Sequence, residues 1–158
     1  MKIHLASGLL ALSLALAACA PTGVGGVQRL SLGESVDIAA VGARLSTLRA
    51  GQGLARPLGH SAALQAAAQA HVDDMAQSGN LSHTGSNGST LASRLRASGY
   101  SACFAAENIA AGQANTAEVF EDWMGSSGHR RNIVAAEATQ FGFARAGGYS
   151  VLVLARSC

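Results

Sequence analysis

Trp123-Met124-Gly125-Ser126-Ser127-Gly128-His129-Arg130-Arg131-Asn132-Ile133 is the stretch on which the fold of this chain turns. It reads as the last turn of an amphipathic helix, a glycine stop, and then a histidine on a fixed turn. Two upstream segments answer it: Leu81-Ser82-His83-Thr84 and Ala106-Glu107-Asn108-Ile109-Ala110. Together they place His83, Glu107 and His129 around one cleft, with Ser126 beside them.

Working outward, the helix that ends at this stretch begins at Asn115. An Asn there, with Glu118 three residues on, is a capping-box arrangement that satisfies free amides of the first turn. Val119, Phe120, Trp123 and Met124 form its core side. Beyond it, Gln140–Ala146 and Tyr149–Ala155 read as two strands joined through Gly147-Gly148, a strong hairpin signal. Upstream, Phe104–Ala111 reads as a buried strand or strand edge, interrupted by Glu107-Asn108. A short helix is expected from Thr90 to Ala97, ended by Gly99. The segment from Leu81 to Ser89 is a polar loop. Apolar residues at helical spacing predict a helix from about Ser35, through Ile38, Val41, Leu45 and Leu48, and another from about Ser61 to Ser78. The latter is rich in alanine, which permits close packing. Leu54–Gly59 reads as a connection. Helices and a late antiparallel hairpin in one domain indicate an α+β layered fold.

The N-terminus stands apart. Lys2 and His4 precede an apolar run from Leu5 to Leu16, too short to span a bilayer and of the length of a signal-peptide core. Leu16-Ala17-Ala18-Cys19 follows and looks like a bacterial lipobox, with cleavage before Cys19 and lipid on its side chain. Acyl chains contribute about 0.8 kcal/mol per buried CH₂, so a multiply acylated Cys19 makes a firm membrane anchor. The expected organisation is a signal peptide over 1–18, a lipidated, glycine-rich tether over 19–34, and one domain over 35–158. The protein is then exported and held facing the periplasm, on the outer membrane if the cell has two: Ala20 after the lipid-bearing Cys resembles the outer-membrane sorting pattern. Cys103 and Cys158 remain as an even pair in an oxidising compartment, which is read as a disulfide. It is worth about 4 kcal/mol in the chain-entropy model.

The whole chain carries a formal charge of +2. Without Lys2, ten Arg face nine acids, about +1. With Arg130-Arg131 as its only adjacent basic pair, it gives no sign of a nucleic-acid partner. Glu107 interrupts an apolar segment, and a carboxylate buried there needs a partner. It either accepts bonds from loop amides or orients a histidine or metal. His83, Glu107 and His129 have the composition of an open zinc site, although no HExxH lies on a helix. Ser126 with His129 and Glu107 lacks a GxSxG elbow. His71, on an apolar helix face, reads as a hydrogen-bonded core histidine; His60 belongs to a connection; Asn132 bonds turn amides.

In order along the chain, His83, Glu107-Asn108-Ile109-Ala110 and Trp123-Met124-x-Ser126-x-Gly128-His129-Arg130-x-Asn132-Ile133 resemble the CAP superfamily, also called SCP-like: cysteine-rich secretory proteins, antigen 5 and pathogenesis-related 1 proteins. The likeness spans about Val36–Ala155 and points to the short bacterial branch. It implies an α-β-α sandwich with a central cleft. In many members that cleft carries two His and two acids and binds zinc or another divalent cation. His83 and His129 match the two histidines and Glu107 the first acid. The second acid falls near Ser126, a hydrogen bonder and poor zinc ligand. Gln140, in Thr139-Gln140-Phe141-Gly142, stands where members often have Glu. The family is implicated in sterol or lipid binding, signalling and defence, with proteolysis claimed for a few.

The expected function is therefore a membrane-anchored envelope domain that binds a lipid or cell-wall component through His83, Glu107, Ser126 and His129 without turning it over. One alternative is a divalent-metal-dependent hydrolase using His83 and His129 as ligands. The other is a structural domain whose polar cluster ties the loops together. Ligand identity and oligomeric state are not specified by the sequence.

Overall fold

The computed structural model describes residues 35–158. The expected signal peptide over 1–18, and the expected lipidated Cys19 and tether over 19–34, lie outside the described residues.

Nine elements follow in order: α1 (Ile38–Ala50), β1 (Gly59–His60), α2 (Ala62–Ser78), α3 (Leu91–Ala97), β2 (Ala102–Ala111), α4 (Thr116–Gly125), α5 (Ser127–Ile133), β3 (Gln140–Ala146) and β4 (Tyr149–Ser157). Local chemistry sets most of their ends. Asp37, Ser61, Thr90 and Asn115 each accept a bond from a first-turn amide of the following helix, as short polar side chains do at N-caps. At Asn115, Glu118 also reaches back to the Ala114 amide and to the Asn115 side chain. Gly147 and Gly148 have φ of 54° and 81°, the left-handed pair that a tight hairpin needs.

The four strands form one sheet in the order β1-β3-β4-β2. β3 and β4 are antiparallel neighbours, β2 pairs antiparallel with β4, and β1 adds two residues parallel to β3. Sequence reading takes Gly59-His60 as part of a connection and misses this strand. Two residues carry no periodicity, and their pairing with Gln140 and Phe141 is a long-range event.

Alternation along β4 splits the core into two layers. Leu152 and Leu154 face Val41, Leu45, Phe120, Trp123 and Ile133 of α1, α4 and α5. Val151, Val153 and Ala155 face Leu64, Ala67, Ala68, Val72 and Met75 of α2, with Leu95 of α3. The result is the expected α-β-α sandwich. β3 sorts its residues by size: Phe141 and Phe143 enter the α4 side, and Ala144 and Ala146 enter the α2 side. Small residues on both surfaces let α2 sit close to the sheet.

A disulfide joins Cys103 to Cys158, closing β2 to the chain end. Native disulfides are worth about 2–4 kcal/mol. Cys103→Ser with Cys158→Ser is expected to lose that amount, measured as a shift of the urea midpoint at constant slope. A loss below about 1 kcal/mol would mean that the Cys158 amide bond to the Ser101 carbonyl and the ladder already hold this end.

Candidate functional site

β2 is the edge strand, and its Glu107 and Asn108 project to opposite faces. Glu107 enters the α2/α3 layer. Its side chain is 4% exposed, with Oε2 2.8 Å from Arg94 Nη2 and Oε1 2.8 Å from His83 Nδ1. An ionised carboxylate is an acceptor only, so His83 donates to it through Nδ1–H. Arg94 also donates to the carbonyls of His83 and Ser89, so one guanidinium fixes both the carboxylate and the loop that carries His83. Asp74 holds the same loop from α2 through the Ser86 amide and hydroxyl. Those bonds lower its carboxyl pKa.

Asn108 enters the other layer. Its amide donates to the His129 carbonyl at 3.0 Å, and its Oδ1 accepts from Asn132 at 2.9 Å. Asn132 also donates to the Glu107 carbonyl, and Trp123 Nε1 donates to the Ile109 carbonyl at 3.2 Å. Asn132 is structural, as expected, but its partners are a strand carbonyl and Asn108 rather than turn amides. α4 and α5 thus cap the outer edge of β2, and this brings His129 over the strand toward His83. The His129 ring lies 6.4 Å from Trp123 between ring centres. Its pKa is lowered by burial first and by the neighbouring His83 second.

The histidine stretch is not a turn. Ser126, extended at φ −90° and ψ 124°, ends α4 and starts α5, and His129 lies within α5. α4 does stop at a glycine, Gly125; one extended residue follows, and the chain then resumes a helix that includes Gly128 and His129. Ser126 makes no side-chain capping bond.

Two residues that complete the site were misjudged or missed. Arg94 was not anticipated. The buried carboxylate demanded a partner, but nothing local shows that a guanidinium on the short helix α3 would supply it. His71 is a core residue, 0% exposed. Neither of its ring nitrogens has a hydrogen-bond partner, however, and Nε2 stands 3.8 Å from Glu107 Oε1. The expected hydrogen-bonded role is therefore weaker than the sequence suggests: Glu107 Oε1 is closer to His83, Oε2 is taken by Arg94, and the Ser82 backbone is the remaining polar neighbour.

Burial lowers the His71 pKa; Glu107 opposes this, Arg94 adds to it, and the Ser82 carbonyl and Asp74 oppose it. The unfolded chain, near the ordinary value of 6.5, binds the proton first. Stability is therefore full above about pH 6.5 and falls as pH drops below it. His71→Asn is expected to flatten that slope between pH 7 and 5 in urea titrations; an unchanged slope would assign the effect to His129 and other groups.

Among the described residues, no group of three or more His, Cys, Asp or Glu side chains is arranged to hold a metal ion. Both Glu107 oxygens are engaged and Ser126 is no substitute acid, so these side chains do not fit a three-ligand zinc centre. No described helix is long and apolar enough to cross a membrane.

Residues 43–154 match the model of the CAP, or cysteine-rich secretory protein, family. The chain belongs to this family. YkwD of Bacillus subtilis (strain 168) is 35% identical over 91 residues, 58% of this chain and 35% of that protein. The chain thus spans about a third of that relative. Among solved structures, an extracellular protein with an SCP domain from Bacillus anthracis aligns with a TM-score of 0.72 at 24% identity, covering 75% of this chain and 40% of the other. An outer surface protein of Borrelia burgdorferi aligns with a TM-score of 0.70 at 18% identity, covering 80% of this chain and 99% of the other. These likenesses carry the fold: the CAP sandwich of helices about a four-stranded sheet.

Proposed function

We propose that this CAP domain is exported, anchored through lipid on Cys19, and binds a lipid or cell-wall component at the His83–His129 face without turning it over. The observation that carries the binding reading is the commitment of both Glu107 oxygens. A buried carboxylate bonded to Arg94 and His83 is spent on holding the loop and is poorly placed to serve as a free general base. What remains available is hydrogen-bonding capacity: the His83 ring, whose side chain is 59% exposed, and the partly buried His129 and Ser126. Such convergent polar groups beside an apolar body orient a ligand. Export is supported by two structural relatives, an extracellular protein of Bacillus anthracis and an outer surface protein of Borrelia burgdorferi, and by the apolar run that leads to Cys19.

The test is mass spectrometry of the full chain purified from the envelope. The N-terminal peptide is expected to begin at Cys19 with acyl mass. A small molecule is expected to co-purify with the native protein and to be lost from a His83→Ala/His129→Ala variant of equal stability. A hydrolytic turnover abolished by His129→Ala would sink the binding reading. An unacylated Cys19 would sink the anchor alone.

A further inference from the structure

His71, on α2, is fully buried, and neither of its ring nitrogens makes a hydrogen bond. A neutral imidazole always carries one N–H, so the fold holds a buried donor unsatisfied, which is costly. Its Nε2 stands 3.8 Å from Glu107 Oε1, the same oxygen that His83 Nδ1 meets at 2.8 Å. One carboxylate oxygen thus has two imidazoles within reach, one bonded and one short of a bond.

The other oxygen is taken. Arg94 Nη2 lies 2.8 Å from Oε2 and already balances the carboxylate's charge. A proton entering this cluster makes it net positive, and protons on both histidines would set two imidazolium charges about one neutralised carboxylate. Like charges so close disfavour double protonation. The remaining neighbours do not change this balance. α2 itself contributes Asp74, whose oxygens bond Ser86. The 81–89 loop contributes the Ser82 backbone, which favours the protonated His71 ring. β3 and β4 meet α2 here with Ala144, Val151 and Val153, none of them charged. The two histidines differ in freedom: the His83 side chain is 59% exposed and can turn into water, whereas His71 is enclosed.

We propose that His71 is an acid-operated latch: on taking a proton it captures Glu107 Oε1 and releases the His83 ring, which then turns at the ligand face. Closing 3.8 Å to the roughly 2.8 Å of a charge-assisted bond takes a side-chain adjustment, not a movement of α2 or β2. Arg94 keeps Oε2 and its bonds to the carbonyls of His83 and Ser89, so the loop stays in place and only the ring is let go. Burial lowers the His71 pKa, so the latch trips below about pH 6.5. Histidine switches work in this way, by biasing one of two local arrangements. What the released ring does to binding rests on the proposed role of the His83–His129 face; the latch itself does not.

The test follows the histidine rings of the ¹⁵N-labelled full chain by NMR from about pH 7.5 to about pH 5, with no ligand present. At the upper end the Nδ1–H proton of His83 is expected to be shielded from exchange, with NOEs from the ring to the Glu107 methylenes. Both signals are expected to vanish as His71 gains its proton, with amide shifts confined to residues 81–84 and 106–108. Protonation of His83 alone predicts the reverse, because an imidazolium still donates through Nδ1 and holds a carboxylate more tightly. In His71→Asn, which has no proton to gain, the His83 signals are expected to persist to at least about one pH unit lower. His71→Gln is a second neutral replacement if the Asn variant does not fold. Native His83 signals that survive to about pH 5 overturn the proposal. So does a loss that is the same in the native chain and the folded variant, and so does an acid change spread over all amides, which is unfolding rather than a latch. A chain that shows the step yet retains no small molecule keeps the latch and refutes the binding role alone.

Discussion

Arg94→Ala is expected to destabilise the domain by about 3–5 kcal/mol, the range for removing one partner of a buried ion pair. The cost arises mainly from what is left behind. Glu107, 4% exposed, would be left buried with only His83 bonded to it, and His71 at 3.8 Å would lose the Arg94 charge that helps hold its pKa down. The carbonyls of His83 and Ser89 would lose their donor as well, so the 81–89 loop is expected to exchange its amides faster. Glu107→Gln should cost less, about 1–3 kcal/mol, because the amide oxygen can still accept from Arg94. Urea unfolding of the two variants, with amide exchange over 81–89, provides the comparison. A loss under about 1 kcal/mol for Arg94→Ala would mean that water solvates the carboxylate and that the pair is not the clamp of the site.

The pair also shows where sequence reading stops. Elements governed by local chemistry were legible: the Asn115 cap, the Gly147-Gly148 hairpin and the alanine-rich α2 need only neighbours in the chain. The disulfide was legible from the count of cysteines and the reading of the chain as exported. His83, Glu107 and His129 could be named as candidates from their surroundings and from the family pattern. Their arrangement could not. Glu107 and Asn108 are adjacent, yet β2 sends one to each face. His83 is therefore fixed from α3, and the His129 backbone is fixed from the other layer through Asn108. That division follows from strand parity and from the position of β2 at the sheet edge, and sheet order is a property of the assembled fold. The helix break at Ser126 is equally hard to see, since Ser and Gly suit both a loop and a helix start.

Gly142 was legible only as part of the family pattern, and its replacement by valine is expected to have the largest effect of all. A Cβ built there falls 2.3 Å from the Leu64 carbonyl carbon and the Gln65 nitrogen, and 2.5 Å from the Leu64 oxygen. These are backbone atoms of α2, so no rotamer change relieves the contact. The helix must lift from the sheet as a body. Lifting it strains the bond from the Phe143 amide to the Gln65 side chain. It also opens the layer in which Ala67, Ala68 and Val72 meet Ala144 and Val151. His71 and Asp74 ride on the same helix, so the His83 loop would move with it. Overpacking typically costs about 1–3 kcal/mol and occasionally more. Gly142→Ala belongs at the top of that range, and Gly142→Val, with two further methyls against a helix backbone, is expected not to fold at 37 °C. Gly125→Ala is the control: its Cβ meets nothing within 4 Å, and helix propensity favours alanine by up to about 1 kcal/mol. Thermal melts of the three variants would show whether the pattern holds. If Gly142→Ala melts within a few degrees of the native protein, α2 has room to move, and the close approach of helix to sheet is not what fixes the site.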